Sequence, residues 1–171
     1  MSIKTGMLLN LIKPDFICCE IGVWKGGYSK LISSKKFKHL YLIDPWVFVP
    51  SRTETWYGGL KAKNSNDMEK IYQSVKHRYE KNKNVTVIRK DSSEALRCIP
   101  NLDWSYIDGD HSYDHVMTDI QQCYAITNKG GFVCGDDMQK PPVSKALHDF
   151  VEINKISNVT VKGHQFILEK Q

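Results

Sequence analysis

The chain has 171 residues, 41% of them hydrophobic, which suits one compact domain with a real core and leaves too little for two. The formal net charge of +5 comes from scattered lysines (Lys35, Lys36, Lys38; Lys61, Lys63; Lys81, Lys83) and not from one basic stripe, so nucleic acid is not expected as a partner. Cysteines 18, 19, 98, 123 and 134 form no C-x-x-C pair, no apolar run approaches a membrane span, and Met7-Leu-Leu-Asn-Leu-Ile12 is too short for a signal sequence; a cytoplasmic protein with reduced thiols is expected.

A short apolar strand is predicted at 16–21, running directly into Glu20-Ile-Gly-Val-Trp-Lys-Gly-Gly-Tyr-Ser29 and a helix at 27–34. Glycines at 22, 26 and 27 free the backbone of this loop, but the spacing is not the dinucleotide G-x-G-x-x-G. An acid two residues before the first glycine suits a cationic ligand end better than a pyrophosphate. The next strand, 39–43, ends at Asp44, 22 residues beyond Gly22 and placed to accept hydrogen bonds from ribose hydroxyls. The stretch 46–66 has no clean period and reads as a lid or substrate loop.

A helix at 67–79 with Ser65 or Asn66 as cap precedes strands at 85–89 and 104–107. The helix at 113–126 carries Val116, Met117, Ile120 and Tyr124 on one stripe and is expected to stop at a glycine signal, Asn128-Lys-Gly130. A strand at 131–134 leads to a helix opened by Pro141-Pro142, then to strands at 158–162 and 165–169 joined tightly around Gly163-His164. The alternation predicts an α/β fold: a Rossmann-like, doubly wound, mostly parallel seven-stranded sheet with a C-terminal antiparallel hairpin. In such a sheet Glu20, Asp44, Asp91, Asp108 and Asp136 converge on one rim, at the carboxyl ends of the strands.

The glycine loop and Asp44, followed by Asp91-Ser92-Ser93, Tyr106-Ile-Asp-Gly-Asp-His-Ser-Tyr-Asp114 and Lys129-Gly-Gly-Phe-Val-Cys-Gly-Asp-Asp137, resemble the class I S-adenosylmethionine-dependent methyltransferases in order and spacing. The likeness extends to the small O-methyltransferases with an Ile-Asp-Gly-x-His-x-Tyr pattern, similar to the macrocin and catechol types. It implies a single methyltransferase domain over 1–171. It further implies that Glu20, Gly22 and Ser29, with Trp24, Gly26 and Gly27 of the same loop, belong to the methionine end of the cofactor. Asp44, followed by Pro45, belongs to its ribose, Asp91 and Ser92 to its adenine, and Asp108 also borders it.

Methyl transfer to oxygen needs alignment and removal of a proton. His111 stands where metal-dependent relatives carry a lysine base, so the resemblance makes it the expected base, beside Asp108. Asp108, Asp136 and Asp137 offer an all-oxygen set suited to Mg²⁺, although the catechol type has Asn where Asp137 stands. Trp46, directly after Asp44-Pro45, is the expected substrate-stacking ring, with His111 also on the substrate; Trp56 lies in the expected lid and Trp104 in the core. The acceptor implied is a hydroxyl of a small molecule or sugar. A chain with so little beyond the core fold is expected to complete its pocket as a homodimer.

Two other readings remain open at this level. A nicotinamide-dependent oxidoreductase would also use Asp44 on a ribose, but the chain lacks the G-x-G-x-x-G spacing and a helical Tyr-x-x-x-Lys pair. A non-catalytic module that binds S-adenosylmethionine would need only the cleft. Amino-group DNA methylation is disfavoured, because Asp108-Gly-Asp-His111 stands where an Asn-Pro-Pro-Tyr motif would be.

Overall fold

The structure, a computed structural model, describes residues 3–49 and 62–171. Most of the expected 46–66 lid, Trp56 included, lies outside the described residues. The elements run α1 (Ile3–Leu9), β1 (Ile17–Ile21), α2 (Gly27–Ile32), β2 (His39–Ile43), α3 (Ser65–Tyr79), β3 (Val85–Ile88) and α4 (Ser92–Ala95). They continue with β4 (Leu102–Ile107), α5 (Tyr113–Ile126), β5 (Thr127–Gly135), α6 (Pro141–Ile153), β6 (Val159–Lys162) and β7 (Gln165–Glu169).

The strands form one seven-stranded sheet in the order β3-β2-β1-β4-β5-β7-β6. Neighbours from β3 through β5 are parallel, whereas β7 runs antiparallel to both β5 and β6. This is the expected Rossmann-like α/β sheet with its C-terminal hairpin. Alternate residues of each strand point to opposite faces, so each strand feeds two cores. Cys18, Leu40, Leu42, Trp104 and Tyr106 pack with Leu8, Ile32, Met68 and Val75 under α1, α2 and α3. Cys19, Ile21, Ile43 and Ile107 pack with Val116, Ile120, Leu147 and Phe150 under α5 and α6.

Three local expectations are corrected. The cap of α3 is Asn64, whose side chain accepts from the Asp67 amide at 3.0 Å while the Asp67 carboxylate accepts from the Lys63 amide at 2.9 Å. The first bond satisfies an amide that the first helical turn leaves open, and the second ties down the residue before the cap. Helix α5 does not end on a glycine: Thr127 turns extended at once, its amide and hydroxyl bonded to Tyr124 O and Cys123 O, and β5 begins there. Gly130 and Gly131 instead shape the start of β5, where a Cβ on Gly131 would lie 2.8 Å from Asp103 O. Helices α1 and α4 were not predicted, being too short to show a period, although Asp91-x-x-Glu94 is a capping signature at the head of α4.

Candidate functional site

The site is built first by the loop after β1. Gly22, at φ 87°, lies so close to the end of β4 that a Cβ would meet Asp108 O at 2.0 Å. Its missing side chain therefore serves contact between two strand ends, where the sequence suggested approach to a ligand. Gly26, at φ 69°, caps α2, and Gly27 is open, with nothing within 4 Å of its added Cβ. Glu20 and Ser29 are hydrogen-bonded to each other and are 1% and 0% exposed, beneath the loop and not on the cleft wall. Burial pushes the Glu20 carboxyl up to about 8, against the Ser29 hydrogen bond, with Asp108 and Asp44 adding repulsion.

Asp44 ends β2 and is 3% exposed. Its Oδ2 accepts from the Trp24 amide at 2.9 Å and its Oδ1 from the Trp46 amide at 2.7 Å. Trp46 Nε1 then donates to Trp24 O at 2.9 Å, closing a three-residue clamp. Both tryptophans have left-handed backbones, φ 52° and 44°, an unfavourable conformation for bulky residues that the clamp holds in place. Burial raises the Asp44 carboxyl, while the amides of Trp24, Trp46 and Val23 pull the other way. Trp46 is 1% exposed and tilted against Tyr72, so its ring belongs to the core and not to a substrate surface. Arg89 stacks on Tyr72 and reaches Pro45 O, Trp46 O and Glu69, holding the same turn from outside.

Across the carboxyl ends of β1, β2, β3 and β4 lies a cleft of about 500 Å³, within the range of small-ligand sites. Its walls include Gly22, Asp44, Pro45, Asp91 and Ser92, with an apolar side from Ile21, Ile43, Val47 and Val49. Asp91 also caps α4 through the Ser93 amide. Asp119 of α5, which the sequence reading missed, is 3% exposed, lines this cleft and accepts from Ser92 Oγ at 2.5 Å. Burial lifts its carboxyl to about 6, with the Ser92 bond opposing. A signal existed, because Asp119 falls on the buried stripe Val116, Ile120, Cys123, where a carboxylate is out of place unless it has a polar job.

A second cluster adjoins the cleft through Gly109 and Asp110. Asp108 and Asp137, at the ends of β4 and β5, face His111, whose Nε2 lies 3.7 Å from Asp108 Oδ1 and 2.7 Å from Asp137 Oδ2. Lys140 Nζ lies 2.7 Å from Asp137 Oδ2 and 3.0 Å from His111 Nδ1. Burial and the neighbouring Asp136 and Asp137 raise the Asp108 carboxyl, opposed by His111. For Asp137, burial pushes upward, but bonds from Lys140 and Gln139 and the closeness of His111 outweigh it, and the net shift is downward.

Asp136 is turned away from the other two carboxylates. Its oxygens accept from the Tyr106 hydroxyl at 2.9 Å, Gln165 Nε2 at 3.2 Å and the Asp137 amide at 2.8 Å. The expected Asp108, Asp136, Asp137 cage for Mg²⁺ is therefore not formed. The ligating atoms within 4.8 Å of one another among the described residues are those of Asp108, His111 and Asp137, and an ammonium already stands on Asp137. A ring nitrogen and a resident lysine fit a hard, oxygen-seeking ion poorly.

A parallel sheet closed by an antiparallel β7, with acids ending β2 and β4 along one rim, is the architecture of class I methyltransferases. Residues 19–138 match the family model described as a methyltransferase domain, and the chain belongs to that family. An uncharacterized protein of Acanthamoeba polyphaga mimivirus is 33% identical over 147 residues, covering 81% of this chain and 61% of its own length. This chain thus spans less than two thirds of that relative. Among solved structures, the O-methyltransferase NovP superposes with a TM-score of 0.65 at 18% identity, covering 98% of this chain and 78% of NovP. A Streptococcus mutans protein reported as a methyltransferase in complex with SAH gives 0.69 at 12% identity, covering 99% and 96%. Spermidine synthase from Thermotoga maritima shares the fold at 0.63 and 12% identity, covering 99% and 59%. No helix among the described residues is long and apolar enough to cross a membrane.

Proposed function

We propose that this chain transfers the methyl group of S-adenosylmethionine to a hydroxyl of a small molecule or sugar. The observation that carries the reading is the adjacency of an acid-lined cleft and a proton-accepting cluster, joined by Gly109-Asp110 between Asp108 and His111. When bound, the cofactor supplies an electrophilic methyl on a sulfonium. The Asp44 carboxylate has acceptor capacity beyond the Trp24, Trp46 and Val23 amides, and this suits a ribose hydroxyl. Ile21, Ile43, Val47 and Val49 suit a flat ring, and Asp91, Ser92 and Asp119 offer polar partners to its edge.

Proton removal is assigned to Asp108, with His111 beside it. An ammonium only donates, so the Lys140 contact at His111 Nδ1 puts the ring proton on Nε2 and leaves His111 no free lone pair. This revises the expectation that His111 is itself the base. Asp108, with 38% of its side chain exposed and its carboxyl raised, is the accessible acceptor. A carboxylate suffices because the hydroxyl becomes strongly acidic as its oxygen bonds to carbon. Two buried polar side-chain atoms without a hydrogen-bond partner border this cluster: Tyr28 Oη and Gln165 Oε1. Such orphan groups mark where an acceptor or ordered water would bond.

Thermal unfolding with S-adenosylhomocysteine against NAD⁺ tests the cofactor. A ligand at about a hundred times its dissociation constant adds about 2.7 kcal/mol, or a rise of about 5–10 °C for a chain of this size. A shift with NAD⁺ alone would overturn the reading, and the sheet order, with antiparallel β7, already departs from the dinucleotide order 3-2-1-4-5-6. If Asp108→Asn keeps the shift and loses turnover on a hydroxyl panel by about a hundredfold or more, the non-catalytic module is excluded.

A further inference from the structure

The Asp108, His111, Asp137 cluster holds a positive group of its own. Lys140 sits at the foot of α6, in the N-cap position before Pro141, and its amide donates to Asp137 O at 2.8 Å, closing a tight turn. Asp137 is left-handed at φ 64°, and the Met138 amide is tied to His164 O at 2.9 Å, so the turn is anchored on both sides. The lysine is thus held by its backbone as well as by its tip, and only 31% of its side chain is exposed. Its Nζ lies within hydrogen-bond reach of both Asp137 Oδ2 and His111 Nδ1.

We propose that the Lys140 ammonium is the resident cation of this cluster: it brings to Asp137 and His111 the positive charge a divalent ion would bring, and it holds His111 in the Nε2–H tautomer. Lys140 is thereby a positioning residue, acting through His111 and Asp137. The consequence is a site that carries a counter-charge of its own. A divalent ion would have to expel the ammonium from Asp137, lose one hydrogen-bonded partner of that carboxylate and accept a nitrogen ligand. The proposal rests on the same cluster as the methyl-transfer reading, but its test reads tautomer and ion binding and not turnover, so its failure would return the base to His111 while methyl transfer itself could stand.

The test uses the full chain labelled with ¹⁵N-histidine, with the His111 signals assigned by their loss in His111→Gln. Long-range ¹H–¹⁵N correlation is expected to show the proton on Nε2 in the wild type and in Lys140→Arg, and to lose that single tautomer in Lys140→Met. Mn²⁺ titration followed by electron paramagnetic resonance is expected to show at least tenfold tighter uptake by Lys140→Met than by the wild type. A proton on Nδ1 in the wild type, an unchanged tautomer in Lys140→Met, or equal Mn²⁺ uptake by the two proteins overturns the proposal. Circular dichroism and thermal unfolding of each variant establish that it is folded before either reading is taken, and Lys140→Arg repeats the test with the charge retained.

Discussion

The clamp around Asp44 and the cluster around Asp108 lie on the same sheet edge and are finished in different ways. At the clamp both carboxylate oxygens are taken by backbone amides, and two tryptophans are locked in unfavourable conformations. At the cluster, Tyr28 Oη and Gln165 Oε1 are buried without hydrogen-bond partners. The first has its carboxylate satisfied by the fold's own amides; the second keeps unsatisfied groups where an acceptor or ordered water would bond. On the proposed reading, the cleft holds the cofactor and its neighbour removes the proton.

The largest effect should come from a close contact that joins both regions. Gly22→Ala drives a Cβ against the Asp108 carbonyl and strains a left-handed backbone, so a loss above about 4 kcal/mol is expected; a urea midpoint within experimental error of the wild type would show that the two strand ends are not so tightly opposed. Next comes Asp44→Ala, which leaves the Trp24 and Trp46 amides unbonded. At about 1–3 kcal/mol per buried group, chemical denaturation should register a loss of about 2–6 kcal/mol, with a smaller loss in Asp44→Asn. An Asp108→Ala variant, lacking any comparable backbone duty for its side chain, should lose far less stability than Asp44→Ala. Equal losses would erase the distinction between wall and reactive cluster.

Glu20 gives a subtler test beneath the clamp. Its folded pKa, about 8, exceeds the ordinary value of 4.5, so the folded state binds the extra proton between those limits. The stability linked to this group is complete below the ordinary value and is lost as pH rises through about 8. Glu20→Gln should flatten that slope, as measured by denaturation across pH 5–9. The smallest effect is expected at Ser92→Ala, which removes one hydrogen bond from Asp119 and costs about 1 kcal/mol. Since the Ser92 bond holds the Asp119 carboxyl down, its titration should move upward in the variant, readable by carboxyl-carbon NMR.

The seven strands along the chain, helices α2, α3, α5 and α6, and the acids at the ends of β1, β2 and β4 were legible in the sequence. Parallel strands covered on both faces need continuous apolar runs, so 39–43 and 104–107 declare themselves, and the residue after each run must sit at the rim. The role of individual side chains was not legible to the same degree. Trp46 looked like a substrate ring because it follows the rim, yet a left-handed backbone and the Asp44 carboxylate turn it into the core. Asp136 looked like a metal ligand by its place after β5, but Tyr106 and Gln165 take its oxygens. Asp119 and Lys140 reach the site from α5 and the foot of α6, far along the chain from Ser92 and His111. By itself, then, the sequence determined the sheet, its rim and the acids placed there, because those depend on local periodicity. Only the tertiary structure decided which of the acids are buried, which are paired and which remain open, because those properties depend on groups that distant elements bring within hydrogen-bonding distance.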